Sequence, residues 1–306
     1  MNNDNDKDND NDNDNDNDND NTLGLEAFCK KKEKNLLSNL FREESDSSVS
    51  SYSDNDDNDN NNNELINISN NDNNDDTGNI FTAISIINDD IKKDITLKQN
   101  RVRGIAHQLW PASIYLCNYI YDNKNELPIS KSNNTKFNVL ELGAGLGLCG
   151  IYCHCLLKDQ LDMTIVTDLD EAIDHINFNI NLNECENNVI GDVLCWGNRN
   201  DLEVVMSKFN SSLPILVLAA DCVYWETLYS PLYETICSLV IDYDAVVLMS
   251  YVKRWKKCEK FFKLFQKMKE IKINIMNESI EWIKDENTNK KCKRITRLYS
   301  FSKTFT

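Results

Sequence analysis

Several features are missing from this sequence, and each absence closes off a class of protein. Its eleven cysteines are scattered without one Cys-x-x-Cys pair, and Met1 leads into Asn and Asp instead of the apolar core that a secretory leader needs. A disulfide framework is therefore not expected; free buried thiols in a reducing compartment are. No apolar run approaches the roughly 20 residues that span a bilayer, so no membrane role is expected. An excess of basic residues is also lacking. The formal charge is −17, which argues against a general nucleic-acid binder, since such proteins present a basic face. The expected location is the cytoplasm, with the nucleus as second choice.

What is present is unevenly distributed. Residues 2–21 are almost entirely Asn and Asp, and residues 53–76 return to that bias. Such tracts bury little and repel themselves, so residues 1–78 are expected to be disordered. They hold 22 of the 50 acidic and 6 of the 33 basic residues, which leaves 28 and 27 for the rest. The acidity thus belongs to the tail. Between the two tracts, Thr22–Ser45 carries Leu23, Leu25, Phe28, Leu36, Leu37, Leu40 and Phe41 around a basic centre. It reads either as a short amphipathic helix or as a weakly helical piece of tail. The 228 residues from 79 onward are enough for one well-buried domain.

Within that domain the apolar pattern alternates between short runs and helical stretches. Strands are predicted at 80–87 and 91–97, then an apolar helix through Tyr121, and a polar linker over 130–136. Strand–helix pairs follow at 137–142 and 146–158, 163–167 and 171–182, 188–196 and 201–209, 215–220 and 227–240, and 245–250 and 255–269. Short buried strands alternating with helices imply an α/β fold, a parallel sheet with helices on both faces. The last two runs, 271–283 and 294–301, are joined by a polar loop without a helix, a hairpin that adds an antiparallel strand. Seven strands with the last reversed make a Rossmann-like sheet.

The first of these strands runs directly into Gly143, Gly145 and Gly147, and a helix opens there. Glycine permits positive φ and close approach of backbone to a ligand. The dinucleotide fingerprint would need glycine at 148, where this chain has Leu148; a P-loop would need a following Gly-Lys-Ser/Thr, which is absent. The pattern is Glu-Leu-Gly-x-Gly-x-Gly, led by Glu141, a form used where the cofactor has no pyrophosphate. Asp168 ends the next strand and can accept both hydroxyls of a ribose; it could also cap the following helix, although Asp170 is the more natural cap. Cys149, Cys153, His154 and Cys155 share the helix after the loop. Four converging ligands are not visible there, so packing is expected and a metal is not.

Three more motifs surround the loop in order: Gln108-Leu109-Trp110-Pro111-Ala112, Leu194-Cys195-Trp196-Gly197, and Leu218-Ala219-Ala220-Asp221-Cys222-Val223-Tyr224. Together with the loop they resemble the family-16 seven-β-strand methyltransferases, the methyltransferase-like 21 group of protein-lysine methyltransferases. The resemblance covers about residues 80–301 and leaves the acidic tail outside. It implies S-adenosylmethionine as cofactor, bound by Trp110, Glu141, Gly143, Ala144, Gly145, Asp168, Trp196 and Ala220. It also implies that Asp221 and Tyr224, the group's Asp-x-x-Tyr signature, line the pocket for a lysine amine. Core packing for the two tryptophans, and helix capping for Asp221 with Tyr224 in the core, are the structural alternatives. The resemblance further implies a protein substrate, with chaperones and translation factors as the classes to consider, and a monomer is expected. A histidine target, a small-molecule substrate or a scaffold that binds cofactor without turnover stay open. Arg254-Trp255-Lys256-Lys257 reads equally as a substrate-facing segment and as a solvated helix start.

Overall fold

The computed structural model describes residues 66–71, 79–87, 92–129, 136–254, 258–284 and 291–304. The tract at 2–21, the segment Thr22–Ser45 and most of the linker after Ile129 lie outside the described residues. Order begins earlier than expected. A strand β1 (Ile66–Asn71) precedes β2 (Ile80–Ile87) and β3 (Lys92–Gln99), and the three form a small antiparallel sheet in that order. The Asn/Asp bias at 53–76 conceals this strand because Ile66 and Ile68 are the only large apolar residues in it, while every backbone group of its inner edge can pair with β2.

Seven further strands make the main sheet: β4 (Phe137–Leu142), β5 (Leu161–Asp168), β6 (Val189–Val193), β7 (Ile215–Ala220), β8 (Val246–Val252), β9 (Ile271–Lys284) and β10 (Lys291–Lys303). Their order is β6-β5-β4-β7-β8-β10-β9. β4, β5, β6, β7 and β8 pair in parallel, whereas β10 runs antiparallel to both β8 and β9. The last strand in the chain is therefore the reversed one, as the polar loop between Lys284 and Lys291 implies. Helices α1 (Pro111–Asp122), α2 (Leu148–Leu157), α3 (Asp170–Leu182), α4 (Arg199–Ser207), α5 (Tyr229–Asp242) and α6 (Glu259–Leu264) provide the crossovers and cover.

The central strands are mostly apolar because they are buried on both faces; every residue of β4 is buried, Asn138 and Glu141 included. One core joins α1, α2 and α3 to β3 and contains Leu116, Ile151, Tyr152 and Ile176. The second core gathers α4, α5 and α6 with the hairpin and contains Leu232, Leu239, Phe261 and Phe301. All ten residues of α2 are buried, which accounts for its small residues and for Cys149 and Cys153; the Cys149 thiol is pushed up by its hydrogen bond with Cys117 and then by burial, the Cys153 thiol by burial. Among the described residues no group of three or more His, Cys, Asp or Glu is placed to hold a metal ion.

Helix α3 docks the small sheet by an unusual route. Asn183 Nδ2 donates to the Thr96 carbonyl at 2.8 Å and its Oδ1 accepts the Thr96 amide at 2.9 Å. One turn earlier, Asn179 Oδ1 accepts the Lys98 amide at 2.9 Å, and His175 Nε2 meets the Lys98 carbonyl at 2.6 Å. Three side chains spaced four apart thus occupy the backbone groups on the free edge of β3, as a neighbouring strand would.

Two predicted elements end early for local reasons. The strand expected over 188–196 stops at Val193, since the Cys195 amide leaves the sheet to donate to Asp201 Oδ2 at 3.0 Å. The helix expected over 255–269 is α6 followed by a 3-10 turn at Phe265–Lys267; residues 255–257 lie outside the described residues.

Candidate functional site

The carboxyl ends of β4, β5, β7 and β8 lie side by side, the position at which open α/β sheets present ligand-binding loops. After β4, Gly143, Gly145 and Gly147 take φ values of +56°, +57° and +79°. At Gly143 the requirement is doubly strict. A Cβ there would lie 2.5 Å from Trp196 Cζ2 and 3.2 Å from Cys222 Sγ. The loop after β4 is thereby wedged between the loops that follow β6 and β7. Its far side meets the segment before α1, where the Ala106 carbonyl oxygen stands 3.1 Å from the place a Cβ of Gly145 would take.

Asp168, at the end of β5, reaches into this loop. Its Oδ2 accepts the Gly145 amide at 2.7 Å and its Oδ1 accepts the Leu169 amide at 2.8 Å. Burial pushes its carboxyl up, and the two amides act in the opposite direction. Each carboxylate oxygen offers about two acceptor positions, so one on each remains for a pair of hydroxyls. The capping alternative does not hold for either acid: α3 begins at Asp170, and Leu169 occupies the cap position without a side-chain bond.

Glu141 has a different place from the one expected. It is 2 % exposed, and its Oε1 and Oε2 accept the amides of Cys149 and Gly150 at 3.2 and 2.7 Å. These are orphan donors in the first turn of α2. Burial pushes its carboxyl up to about 7 against the pull of those two amides. Glu141 thus fastens the helix behind the glycine loop and has no surface left for a ligand.

Asp221 follows β7 with φ +58°, a left-handed conformation that costs a non-glycine residue of the order of 1–3 kcal/mol and persists at functional positions. Its amide continues the β7–β8 ladder to the Ser250 carbonyl at 2.8 Å. Its side chain is held from the end of β8: Arg254 Nη1 donates to Oδ1 at 2.8 Å, Nη2 donates to Oδ2 at 2.7 Å, and the Val252 amide donates to Oδ1 at 3.3 Å. Arg254 also lies over the indole of Trp110, 5.4 Å from the ring centre. Trp110 is pinned in turn by a 3.0 Å bond from its Nε1 to the Ile105 carbonyl. Ala220 and Tyr224 are half-buried, and the Tyr224 ring meets Trp225 edge-on at 5.1 Å.

Seven of the ten expected residues thus fall into two clusters linked by Cys222. Gly143, Ala144, Gly145, Asp168 and Trp196 form one; Trp110 and Asp221 form the other, closed by Arg254. Sequence reasoning read Arg254 as part of a segment that faces substrate or starts a solvated helix, not as a partner of Asp221, and gave Cys222 and Ala106 no role of their own. Cys222 could have been found from its place inside the Asp-x-x-Tyr element. Ala106 contributes only a carbonyl, and no side-chain pattern marks that.

The comparisons with known proteins agree on one kind of chemistry. A family model described as lysine methyltransferase matches residues 89–268. The chain is 35 % identical over 168 residues to protein-lysine N-methyltransferase EFM6 of Saccharomyces cerevisiae, covering 52 % of this chain and 68 % of that protein. It is 28 % identical over 194 residues to protein N-lysine methyltransferase METTL21A of Danio rerio, covering 60 % and 80 %. EEF1A lysine methyltransferase 3 of Xenopus tropicalis matches at 30 % identity over 52 % of this chain and 63 % of its own length.

Proposed function

The chain belongs to the lysine methyltransferase family, and from that premise we propose that its two clusters divide the work of moving a methyl group from S-adenosylmethionine to a lysine side chain of a protein. The observation that carries this division is Asp221, a buried carboxylate in strained backbone beside the glycine loop. The loop fits a cofactor without pyrophosphate: positive φ at 143, 145 and 147 keeps side chains out of it, and Asp168 keeps one acceptor position on each oxygen for the ribose hydroxyls. When bound, S-adenosylmethionine supplies the activated methyl group.

The chain's own residues then bind, orient and exclude water. Gly143, Ala144 and Gly145 would hold the methionine end, and Trp196 would flank the adenine. Trp110 and Ala220 would complete the cofactor contacts on the side of Asp221, while Glu141 holds α2 so that the loop keeps its form. Asp221 accepts a hydrogen bond from the lysine amine, and Tyr224 shapes the aromatic wall through which the side chain enters. Alignment of this kind accounts for several kcal/mol of a barrier.

The substrate class this reading favours is a translation factor, supported by the relative named for EEF1A, met in the cytoplasm by a monomeric enzyme. The test is incubation of the full chain with purified EEF1A, and separately with a cell extract, in the presence of methyl-labelled S-adenosylmethionine, followed by identification of the labelled residue. Label on a lysine is the expected result, with Asp221→Ala lowering it by about 100-fold while S-adenosylhomocysteine still binds. Label on histidine, or an Asp221→Ala variant that methylates at the wild-type rate, would overturn the assignment.

A further inference from the structure

We propose that Arg254 is a positioning residue for this reaction: its two-pronged pair with Asp221 cancels the carboxylate's charge and leaves it a single acceptor position, so that the pocket holds the lysine side chain as the neutral amine and not as the ammonium ion. The inference rests on the reading of Asp221 as the partner of the amine.

The hydrogen-bond count comes first. The two oxygens of Asp221 offer about four acceptor positions. Arg254 Nη1 and the Val252 amide take two on Oδ1, and Arg254 Nη2 takes one on Oδ2. The remaining position is on Oδ2. A neutral amine has two N–H groups and one lone pair, and it needs the lone pair free. One N–H to Oδ2 satisfies that demand. An ammonium ion brings three N–H groups and no lone pair, and this carboxylate cannot receive it as a full charge partner.

Charge points the same way. A free lysine has a pKa near 10.4, so at neutral pH only about one side chain in a thousand carries the lone pair. An unpaired carboxylate 5 % exposed would deepen that deficit, because an opposite charge within a few ångströms favours the charged form by about 1–3 pK units. The guanidinium removes this penalty. It is fixed for the purpose between the carboxylate and the Trp110 face, where a planar, permanently charged group is held better than an ammonium. In the transfer itself the nitrogen lone pair forms the new bond to the methyl carbon, and the methyl–sulfur bonding pair stays with sulfur. The product nitrogen is a methylammonium that releases one proton to solvent.

Among the described residues, the other titratable and charged groups around this point leave Arg254 as the deciding charge. The Cys222 thiol is driven up by burial and then by Asp168, Asp221 and Glu141. Tyr251 on β8 is driven up by burial, and Tyr115 on α1 is pushed up to about 12 by burial and then by Glu278 and Glu281. Lys253 is paired with Glu259, and Arg297 with Glu278. Asp168, Glu141 and Tyr224 are the same in every variant compared below.

The experiment is a pH–rate profile of kcat, which reports the groups in the enzyme–substrate complex, from about pH 6 to about pH 10. It follows label transfer from S-adenosylmethionine into the protein that the wild-type enzyme labels, with purified EEF1A tried first. S-adenosylhomocysteine affinity is measured calorimetrically on the same preparations. Arg254→Gln is expected to move the acid limb upward by about one unit, a tenfold loss at any pH on the limb, with most of the rate recovered at high pH and S-adenosylhomocysteine affinity retained. Arg254→Lys should keep the limb near the wild-type position. The double variant Arg254→Gln/Asp221→Asn, which leaves no unpaired buried charge, should bring the limb back while lowering the plateau. An unmoved limb in Arg254→Gln, a uniform loss at every pH, or a lower KM at every pH would overturn the proposal; the last would make Arg254 a plug that substrate displaces. Should Arg254→Gln fail to fold, the Lys and double variants still decide, since a limb displaced in either contradicts the charge argument. A wild-type enzyme that binds S-adenosylhomocysteine yet labels no lysine would instead defeat the function proposed above.

Discussion

Replacing Gly143 by alanine tests how strictly the glycine loop is fixed. Two costs arise from one methyl group. Alanine at φ +56° enters the left-handed region, which costs an L-residue roughly 1–2 kcal/mol. The new Cβ would also stand 2.5 Å from Trp196 Cζ2, inside any real contact, and forcing an extra group into a packed site costs about 1–3 kcal/mol. If the loop holds its form, stability falls by about 3 kcal/mol, which for a domain of this size lowers Tm by roughly 6–12 °C. If the loop moves instead, the same energy comes out of ligand binding as a loss of about 150-fold in affinity. Thermal unfolding with and without S-adenosylhomocysteine, together with calorimetric titration, separates the two. A Gly143→Ala/Trp196→Ala double variant relieves the steric part and leaves the backbone part, so it should be less impaired than the two single losses added together. A single variant with wild-type Tm and an S-adenosylhomocysteine affinity within threefold of wild type would refute the reasoning, because neither cost could then be present.

Two other outcomes follow from groups buried behind the site. Glu141 is shifted from 4.5 to about 7 in the folded chain, so the folded state binds its proton more tightly than the unfolded state does. The stability this contributes is complete below 4.5 and is lost as pH climbs to about 7, a change of about 3 kcal/mol. Denaturant titrations across that window should show the decline in the wild type and a flatter profile in Glu141→Gln. At the docking edge of β3, Asn183→Ala removes the partners of both Thr96 backbone groups. A cost of about 2–3 kcal/mol is expected, with faster hydrogen exchange at the Thr96 amide and S-adenosylhomocysteine affinity unchanged; an unaltered exchange rate would show that the ladder carries no load.

The parts of this protein that were legible in its sequence are those governed by periodicity and by backbone necessity. β7 ends where its apolar run ends, because a strand buried on both faces carries few polar residues to blur its limits, and β4 keeps the same period although Asn138 and Glu141 interrupt it. The glycine loop was legible because three positive φ values admit few other residues. Glu141 was misplaced since its motif position says that a carboxylate is needed and not which way it points; only the amides of Cys149 and Gly150 reveal that it serves the helix. Arg254 was visible as a basic residue after a strand, but its pairing spans 33 positions, and no local pattern encodes that. β1 went unseen because its pairing with β2 uses backbone groups that every residue owns.

The asparagine ladder on α3 has a consequence for the order in which the chain folds. Its contacts join residues 81 and 87 positions apart, and they exist only once α3 has wound far enough to set His175, Asn179 and Asn183 in one row. The small sheet can form its own hairpins locally, yet it has nowhere to attach until the βαβ unit built from β4, α2, β5 and α3 is complete. Loop closure of that length is slow compared with a hairpin or a helix. β1, β2 and β3 should therefore be the last part of the described domain to become protected during refolding, and their arrival covers α2 and seats the Ala106 segment against the glycine loop. The ability to hold a cofactor would then appear at the final step, after the sheet that presents it has already formed.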